Sequence, residues 1–358
     1  MQPYNRPVIL LGNGARGCDL TPLLALSVPI LTSWQAKDLL DNDHEWYFGS
    51  PGQYGQRMAN CVLHGADMIM AIGNRMSIWN VGYEGPRKDQ QVAIVDLDAY
   101  EVAKFPQATH IRMTAEQWIN SGWAITNSDT WQNQCKKWRS KYPLVESPAH
   151  DDTSYINSYR FMERLQKHLA PNEVIVTDMG AAHICANQVL RLKPPQRIIS
   201  SGGLGEMGCG LPMAIGASFA RNKGEVLCLV GDGGIMMNLQ ELQTIVHHQL
   251  PIKIIVFNNG GYGMIRQTQE KAQMRLAGVN ERTGVSFPNF RHVALSFGIP
   301  ASEIRTWDDF ERIIPNMKGP CLVEYFMDTK QLFVPKLDPV YVDGKATSPR
   351  FCDMSPLL

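Results

Sequence analysis

"GDGGIMMNLQELQTIVHHQLPIKIIVFNNGGYG", Gly231 to Gly263, begins and ends in glycine-rich turns and carries a helical pattern followed by an apolar strand between them. Asp232 lies in the first turn and Asn259 in the second, 259 − 232 = 27 residues apart, which is one helix plus one strand. In a βαβ unit the carboxyl ends of neighbouring parallel strands lie side by side, so these two hard oxygen donors can meet on one small cation. Mg²⁺ takes oxygen ligands in octahedral geometry and commonly draws only one or two side chains from the protein, the rest being phosphate and water. Asp232, the Asn259 amide oxygen and a backbone carbonyl at Gly261 would supply the protein share. Gly231, Gly233 and Gly234 let backbone N–H groups and a helix start approach an anion, and a phosphate suits that place. Taken alone, GDG is an ordinary turn; the ordered combination of GDG, helix, strand and NN is far more specific.

Working outward, the second half of the chain repeats an alternation of helices with the strand candidates "EVIVTD", "QRIIS", "EVLCLVGD", "IKIIVFNN" and "PCLVEYFM". The first half does the same with "PVILLG", "VPILTS", "ADMIMAIG" and "QVAIVDLD". Short apolar runs separated by enough chain for a helical crossover predict α/β architecture, here two doubly wound parallel-sheet domains in tandem. The irregular stretch "SKYPLVESPAHDDTS" marks a linker near 141–154, so the expected divisions are residues 1–145, 150–335 and a proline-rich C-terminal tail, 336–358. Trp118, Trp131 and Trp138 lie in helical patterns and read as packing.

Composition narrows the classes of function. Lys plus Arg and Asp plus Glu are equal at 34 each, and no basic stripe is interleaved with aromatics, which argues against nucleic acid as a partner. The eight cysteines form no C-x-x-C pair, and several sit in apolar runs such as "EVLCLV"; they read as reduced, buried hydrophobes of a cytoplasmic protein. No run of apolar residues reaches the length of a membrane span, and the N-terminus lacks a signal-peptide pattern.

The stretch from GDG to NN resembles the thiamine-diphosphate-binding motif, and the neighbouring "SGGLGEMGCGLPMAIGASFA" resembles the segment preceding that motif in acetolactate synthase and related 2-oxoacid carboligases and decarboxylases. The resemblance is strong from Asp178 to Asp328 and weaker from Pro7 to Lys104. It implies Asp232, Asn259 and the Gly261 carbonyl as Mg²⁺ ligands that clamp the cofactor diphosphate, with Gly231, Gly233, Gly234 and Met264 in the cofactor site. Met207 matches the residue that props the cofactor into a bent form, and the Gly205 carbonyl would accept a hydrogen bond from its 4′-amino group; this bending supplies an intramolecular base, a gain in effective concentration. Core filling at a helix start is the plain alternative for Met207. "DMGAAH", Asp178 to His183, matches a second diphosphate-binding turn, with backbone contacts from Gly180 and Ala181, while His183 reads as a helix-face residue.

In the same family the region 1–145 is the central domain, which binds FAD in some members. Gly12, Gly14 and Gly17 in "LLGNGARG" satisfy G-x-G-x-x-G after a strand, and Arg75 and Asp96 match positions near an adenine dinucleotide; loop glycines and a strand-end Asp are the alternative. His247 and His248, adjacent at a helix end, cannot both face one metal, and Glu241 reads as packing. The chain departs from the family at two points: it starts where the central domain starts, so the N-terminal pyrimidine-binding domain with its activating glutamate is expected to be absent, and Thr268 stands where acetolactate synthases have a Trp that shapes the acceptor pocket. "IRQTQ", "TKQLFVPKL" and the terminal "DGK…DMSPLL" look more like members found with surface-polysaccharide and deoxysugar pathways.

The expected function is Mg²⁺/thiamine-diphosphate-dependent decarboxylation of a pyruvate-like 2-oxoacid with carboligation to a carbonyl acceptor. The site would be completed in a homo-oligomer, a dimer or tetramer, or by a chain that supplies the pyrimidine-binding domain. The alternatives are an accessory chain that holds the cofactor and is inactive alone, or an NAD protein of the Rossmann type, which leaves GDG and NN unexplained.

Overall fold

The computed structural model describes residues 4–122, 125, 127–338, 340–342, 345–347 and 349–357. Of the terminal stretch quoted above, Asp343, Gly344 and Leu358 therefore lie outside the described residues. The chain divides into two compact units: Met1–Leu144 with Arg191–Lys193 and Val334–Leu358, and Val145–Leu190 with Pro194–Phe333.

The first unit is built on five parallel strands, β1 (Pro7–Leu11), β2 (Ile30–Thr32), β3 (Met68–Ile72), β4 (Gln91–Val95) and β5 (Thr109–Ile111), in the order 2-1-3-4-5. "PVILL" and "MIMAI" are buried along their whole length, as expected of central strands covered on both faces. One face packs Val8, Leu10, Ile69 and Ile94 against Val62 and Trp131; the other packs Ile9, Leu11 and Met70 against Leu23 and Trp118. Residues of the C-terminal stretch take part: Leu337, Phe351 and Met354 are buried in the first of these clusters, and Arg57 donates to the Met354 carbonyl at 2.9 Å.

The second unit holds six parallel strands, β6 (Val174–Thr177), β7 (Arg197–Ser200), β8 (Val226–Gly231), β9 (Ile252–Asn258), β10 (Ala301–Ile304) and β11 (Cys321–Phe326), in the order 10-11-9-8-6-7. Both sheets are parallel and covered by helices, an α/β architecture in two doubly wound domains. Strands β5 and β10 are absent from the apolar runs of the sequence. Both are four residues or fewer at a sheet edge, and "THI" and "ASEI" carry the polar side chains that a half-covered edge tolerates.

Connections leave β6 toward β7 on one side and β8 toward β9 on the other, so the order reverses between β6 and β8. An open parallel sheet has its ligand crevice at such a reversal, outside the carboxyl ends of the strands. Thr177 and Gly231 end these strands, which brings "DMGAAH" and "GDGG" to the crevice. Register supports the same placement: Gly231 lies opposite Phe257 of β9, so Asp232 and the turn after Asn258 emerge together.

An aromatic cluster anchors the helix Ser158–Leu165 to this sheet. Phe161 stacks on Tyr325 with ring centres 4.2 Å apart and meets Phe257 and Phe310 edge-on at 5.5 and 5.1 Å. Phe161 is fully buried. Replacing it with Ala leaves a cavity in a packed core and is expected to destabilise the second unit by about 3–5 kcal/mol. Urea titration measures this, and a loss below about 1 kcal/mol would contradict the packing described.

Candidate active site at the switch point

Asp232 follows β8 directly, is buried, and has no basic side chain bonded to it among the described residues. Its carboxylate instead accepts backbone N–H groups: Gly233 at 2.8 Å on Oδ1, Asn259 at 3.1 Å and Gly261 at 3.0 Å on Oδ2. Two of these three donors lie 27 and 29 residues on, so the carboxylate ties the GDG turn to the NN turn. Burial pushes the Asp232 carboxyl up to about 7, against the N–H groups of Gly261, Gly233 and Asn259, which pull it down. Neutral dipoles compensate only part of the cost of removing a carboxylate from water.

The Asn259 side-chain oxygen is buried and has no hydrogen-bond partner among the described residues. A buried acceptor without a donor costs about 1–3 kcal/mol, and a cation would relieve it. The Gly261 carbonyl accepts a single bond in the turn, from Gly263 N–H at 3.2 Å, and a carbonyl oxygen has a second lone pair. An anionic carboxylate, an amide oxygen and a carbonyl form a donor set for a hard cation. Among the described residues no group of three His, Cys, Asp or Glu side chains converges on a point. The site thus fits Mg²⁺.

Two further turns lie beside this pair, and a helix continues from it. Gly180 caps the helix Ala181–Val189 at the end of β6, so the first-turn N–H groups of that helix have no intrahelical acceptor. Gly205 and Met207 lie in the turn that precedes the helix Gly210–Ala220. Met207 is 41% exposed, so it fills no core. Met264 is half-buried at the second position of the helix Gly263–Lys271. Thr268, farther along that helix, is exposed and donates to the Met264 carbonyl at 3.0 Å.

One residue in the crevice was not apparent in the sequence as a site residue. Asp178 is fully buried, and both its carboxylate oxygens lie 3.0 Å from Gly208 N–H, with Met179 N–H at 2.9 Å on Oδ1. Burial raises its carboxyl above the ordinary value, opposed by the N–H groups of Gly208 and Met179. The sequence signals were its place directly after a strand and at the head of "DMGAAH", which name the turn but not this side chain.

His183 is buried on the helix face, with Nδ1 2.8 Å from the Thr177 hydroxyl and 3.2 Å from the Asn187 amide. His247 and His248 stand at the end of the helix Glu241–His248, where the His248 ring packs edge-on against Phe219.

The first unit has a switch point too, between β1 and β3, flanked by the G-x-G-x-x-G loop. Backbone fills it. A Cβ on Gly12 would lie 2.1 Å from the Gly73 carbonyl oxygen and one on Gly14 would lie 2.8 Å from the Gly73 Cα, while Gly14 N–H donates to that same carbonyl at 3.0 Å. The helix that follows, Thr21–Ala25, has five residues. Gly12 and Gly14 serve a close backbone approach to Gly73 within the unit. Arg75 is exposed and Asp96 half-buried, where Asp96 accepts the Asp98 N–H at 3.0 Å in its own turn.

Comparison with known proteins agrees with the crevice. The pattern of the thiamine pyrophosphate enzymes' C-terminal TPP binding domain matches residues 178–325, and that of their central domain matches residues 2–119. The chain belongs to the thiamine pyrophosphate enzymes. Within this family it is similar to acetolactate synthase large subunits. That of Pyropia yezoensis is 30% identical over 343 residues, covering 90% of this chain and 57% of the relative. That of Cyanidium caldarium is 31% identical over 365 residues, covering 96% and 60%. The isozyme 2 large subunit of Escherichia coli (strain K12) is 29% identical over 346 residues, covering 93% and 62%. The chain thus spans about three fifths of the length of these relatives. No helix among the described residues is long and apolar enough to cross a membrane.

His183 gives this thiamine pyrophosphate enzyme an acid-sensitive element. Burial lowers its imidazole to about 4, against 6.5 in the unfolded chain. Between these values the unfolded state binds the additional proton, so stability present above pH 6.5 is lost as pH falls toward 4. The slope from this one group is at most about 1.4 kcal/mol per pH unit. Denaturation of the wild type and of His183→Gln across this window should show a shallower acid slope in the variant; parallel slopes would mean that His183 titrates normally.

Proposed function

We propose that this chain binds Mg²⁺ and thiamine diphosphate at the β6–β8 crevice and serves in decarboxylation of a 2-oxoacid such as pyruvate, with transfer of the remaining fragment to a carbonyl acceptor. The observation that carries the reading is the unpartnered Asn259 oxygen, buried in the turn whose N–H groups hold the Asp232 carboxylate. The family and its acetolactate synthase relatives support the class of cofactor and reaction.

In this reading Asp232, the Asn259 oxygen and the Gly261 carbonyl hold the cation, and the cation meets the diphosphate. Backbone N–H groups of Gly231, Gly233 and Gly234 on one side, and of Gly180 and Ala181 on the other, bind the diphosphate oxygens. Gly205 and Met207 orient the ring portion, with Met264 beside it. When bound, thiamine diphosphate supplies the electron sink for losing carbon dioxide from a 2-oxoacid and the nucleophilic carbon for the transfer. A site of this family also needs a carboxyl against the pyrimidine, a role that falls to none of the residues named above. Thr268, in place of the Trp that the resemblance gives acetolactate synthases, puts acetolactate as the product in doubt.

Calorimetric titration with thiamine diphosphate tests the reading directly. Binding should require a divalent cation, disappear with chelator, and be lost in Asp232→Ala and Asn259→Ala. Because the cation displaces a proton that Asp232 otherwise keeps up to about pH 7, the cation's affinity should fall about tenfold per pH unit below 7. Equal cofactor affinity with and without chelator would reject the assignment.

A further inference from the structure

The turn that carries Gly205 and Met207 is held at Gly208 from two sides. Its N–H donates to both oxygens of Asp178, at 3.0 Å each, and its carbonyl accepts from the Asn238 side-chain amide at 2.7 Å. Asp178 directly follows β6, and Asn238 follows the GDG turn in the short helical stretch Met236–Asn238. Gly208 has φ +85°, and a Cβ there would lie 2.6 Å from the Met237 Cβ, so the position admits no side chain.

Asp178 also reaches the metal turn. A Cβ on Gly234 would sit 2.0 Å from Asp178 Oδ2, and one on Gly210 would sit 2.7 Å from Asp178 Cβ. The carboxylate is thus enclosed by two turns distant from it in sequence, the 205–210 turn, whose Cys209 thiol lies 3.5 Å from Oδ1, and the GDG turn. None of these contacts belongs to the cation's donor set. What they fix is the position of the 205–208 turn relative to the GDG turn.

We propose that Asp178 and Asn238 are positioning residues, a two-sided clamp on the Gly208 peptide that holds Gly205 and Met207 in place for the ring portion of thiamine diphosphate. The proposal deepens the function given above and rests on it for the identity of the ligand. The clamp itself stands on the hydrogen bonds.

Asp178→Asn is the sharper probe. Both oxygens lie 3.0 Å from Gly208 N–H, and Oδ1 also takes Met179 N–H, so either orientation of an Asn side chain sets its NH₂ against a backbone donor. Asn238→Ala removes the other side of the clamp without touching a buried charge. In each full-length variant, hydrogen exchange should quicken in residues 201–210 while β8 and β9 keep their protection. Affinity for thiamine diphosphate with Mg²⁺ should weaken about tenfold in Asp178→Asn, the scale of a lost hydrogen bond to a charged group, and less in Asn238→Ala. Affinity for inorganic pyrophosphate with Mg²⁺, which lacks the ring portion, should stay within about twofold of wild type.

Wild-type exchange rates in residues 201–210 of both variants would overturn the clamp whatever the ligand is. Equal losses for thiamine diphosphate and pyrophosphate would overturn the positioning role and place Asp178 in the diphosphate cradle. Should the wild type bind neither ligand, the proposed function fails while the exchange measurement still decides on the clamp.

Discussion

Everything at the crevice depends on how a buried carboxylate is tolerated at Asp232. Among the described residues no basic side chain is bonded to it; three backbone N–H groups are. Such dipoles are fixed by the chain path, so the carboxylate and the two turns around it define one another. The Gly261 N–H reaches Asp232 only if the chain turns immediately after Asn259, and that turn buries the Asn259 oxygen without a donor. The same constraint leaves the carboxyl short of full compensation, which is why burial raises it to about 7. A cation meets both deficits, since one charge answers a carboxylate and an orphaned acceptor together.

The two sheets make opposite uses of one topological feature. Each reverses its strand order once, between β1 and β3 in the first and between β6 and β8 in the second. At the first reversal the Gly12–Gly14 loop and Gly73 are in backbone contact, and that contact alone accounts for their glycines. At the second, the turns are kept apart by a carboxylate: Asp178 stands between the Gly208 peptide and Gly234. Glycine at a strand end can therefore serve a close backbone approach, and a G-x-G-x-x-G spacing does not by itself mark a ligand site.

The extent to which the sequence could be read follows from this. Fully buried strands such as "PVILL" and "LCLV" announce themselves because burial on both faces demands unbroken apolar runs. Edge strands β5 and β10 escape, since their composition answers to solvent as much as to the sheet. Asp232 and Asn259 were legible because few folds require two oxygen-bearing turns set one helix and one strand apart. Asp178 was not: "VTD" at its strand end looks like "IVD" at Asp96. The difference is tertiary. Asp96 accepts an N–H two residues away, whereas Asp178 accepts one thirty residues away, and no local pattern records that. Asn238 lay inside the opening stretch and escaped for the same reason, since its partner is the Gly208 carbonyl. Met207 is marked in the sequence only by its neighbours in "GLGEMGCGLP", and its exposure is a property of the folded turn.

On the proposed function, charge favours a cation in such a crevice. The four turns 178–183, 201–210, 231–238 and 258–264 contain Asp178, Glu206 and Asp232 and no Lys or Arg. A diphosphate approaching them meets like charge, with only N–H dipoles in its favour. Those dipoles are already partly engaged, because Gly233, Asn259 and Gly261 donate to Asp232 and Gly208 donates to Asp178. A site built for an anion alone would place an arginine or lysine here, as phosphate sites commonly do. On the proposed function, Asp232 and the Asn259 oxygen would instead hold a divalent ion, and diphosphate affinity would then depend on the metal. Protonating Asp232 would then weaken the donor set that the Asn259 oxygen and the Gly261 carbonyl complete, because the turns that bury the carboxylate offer it no other cation.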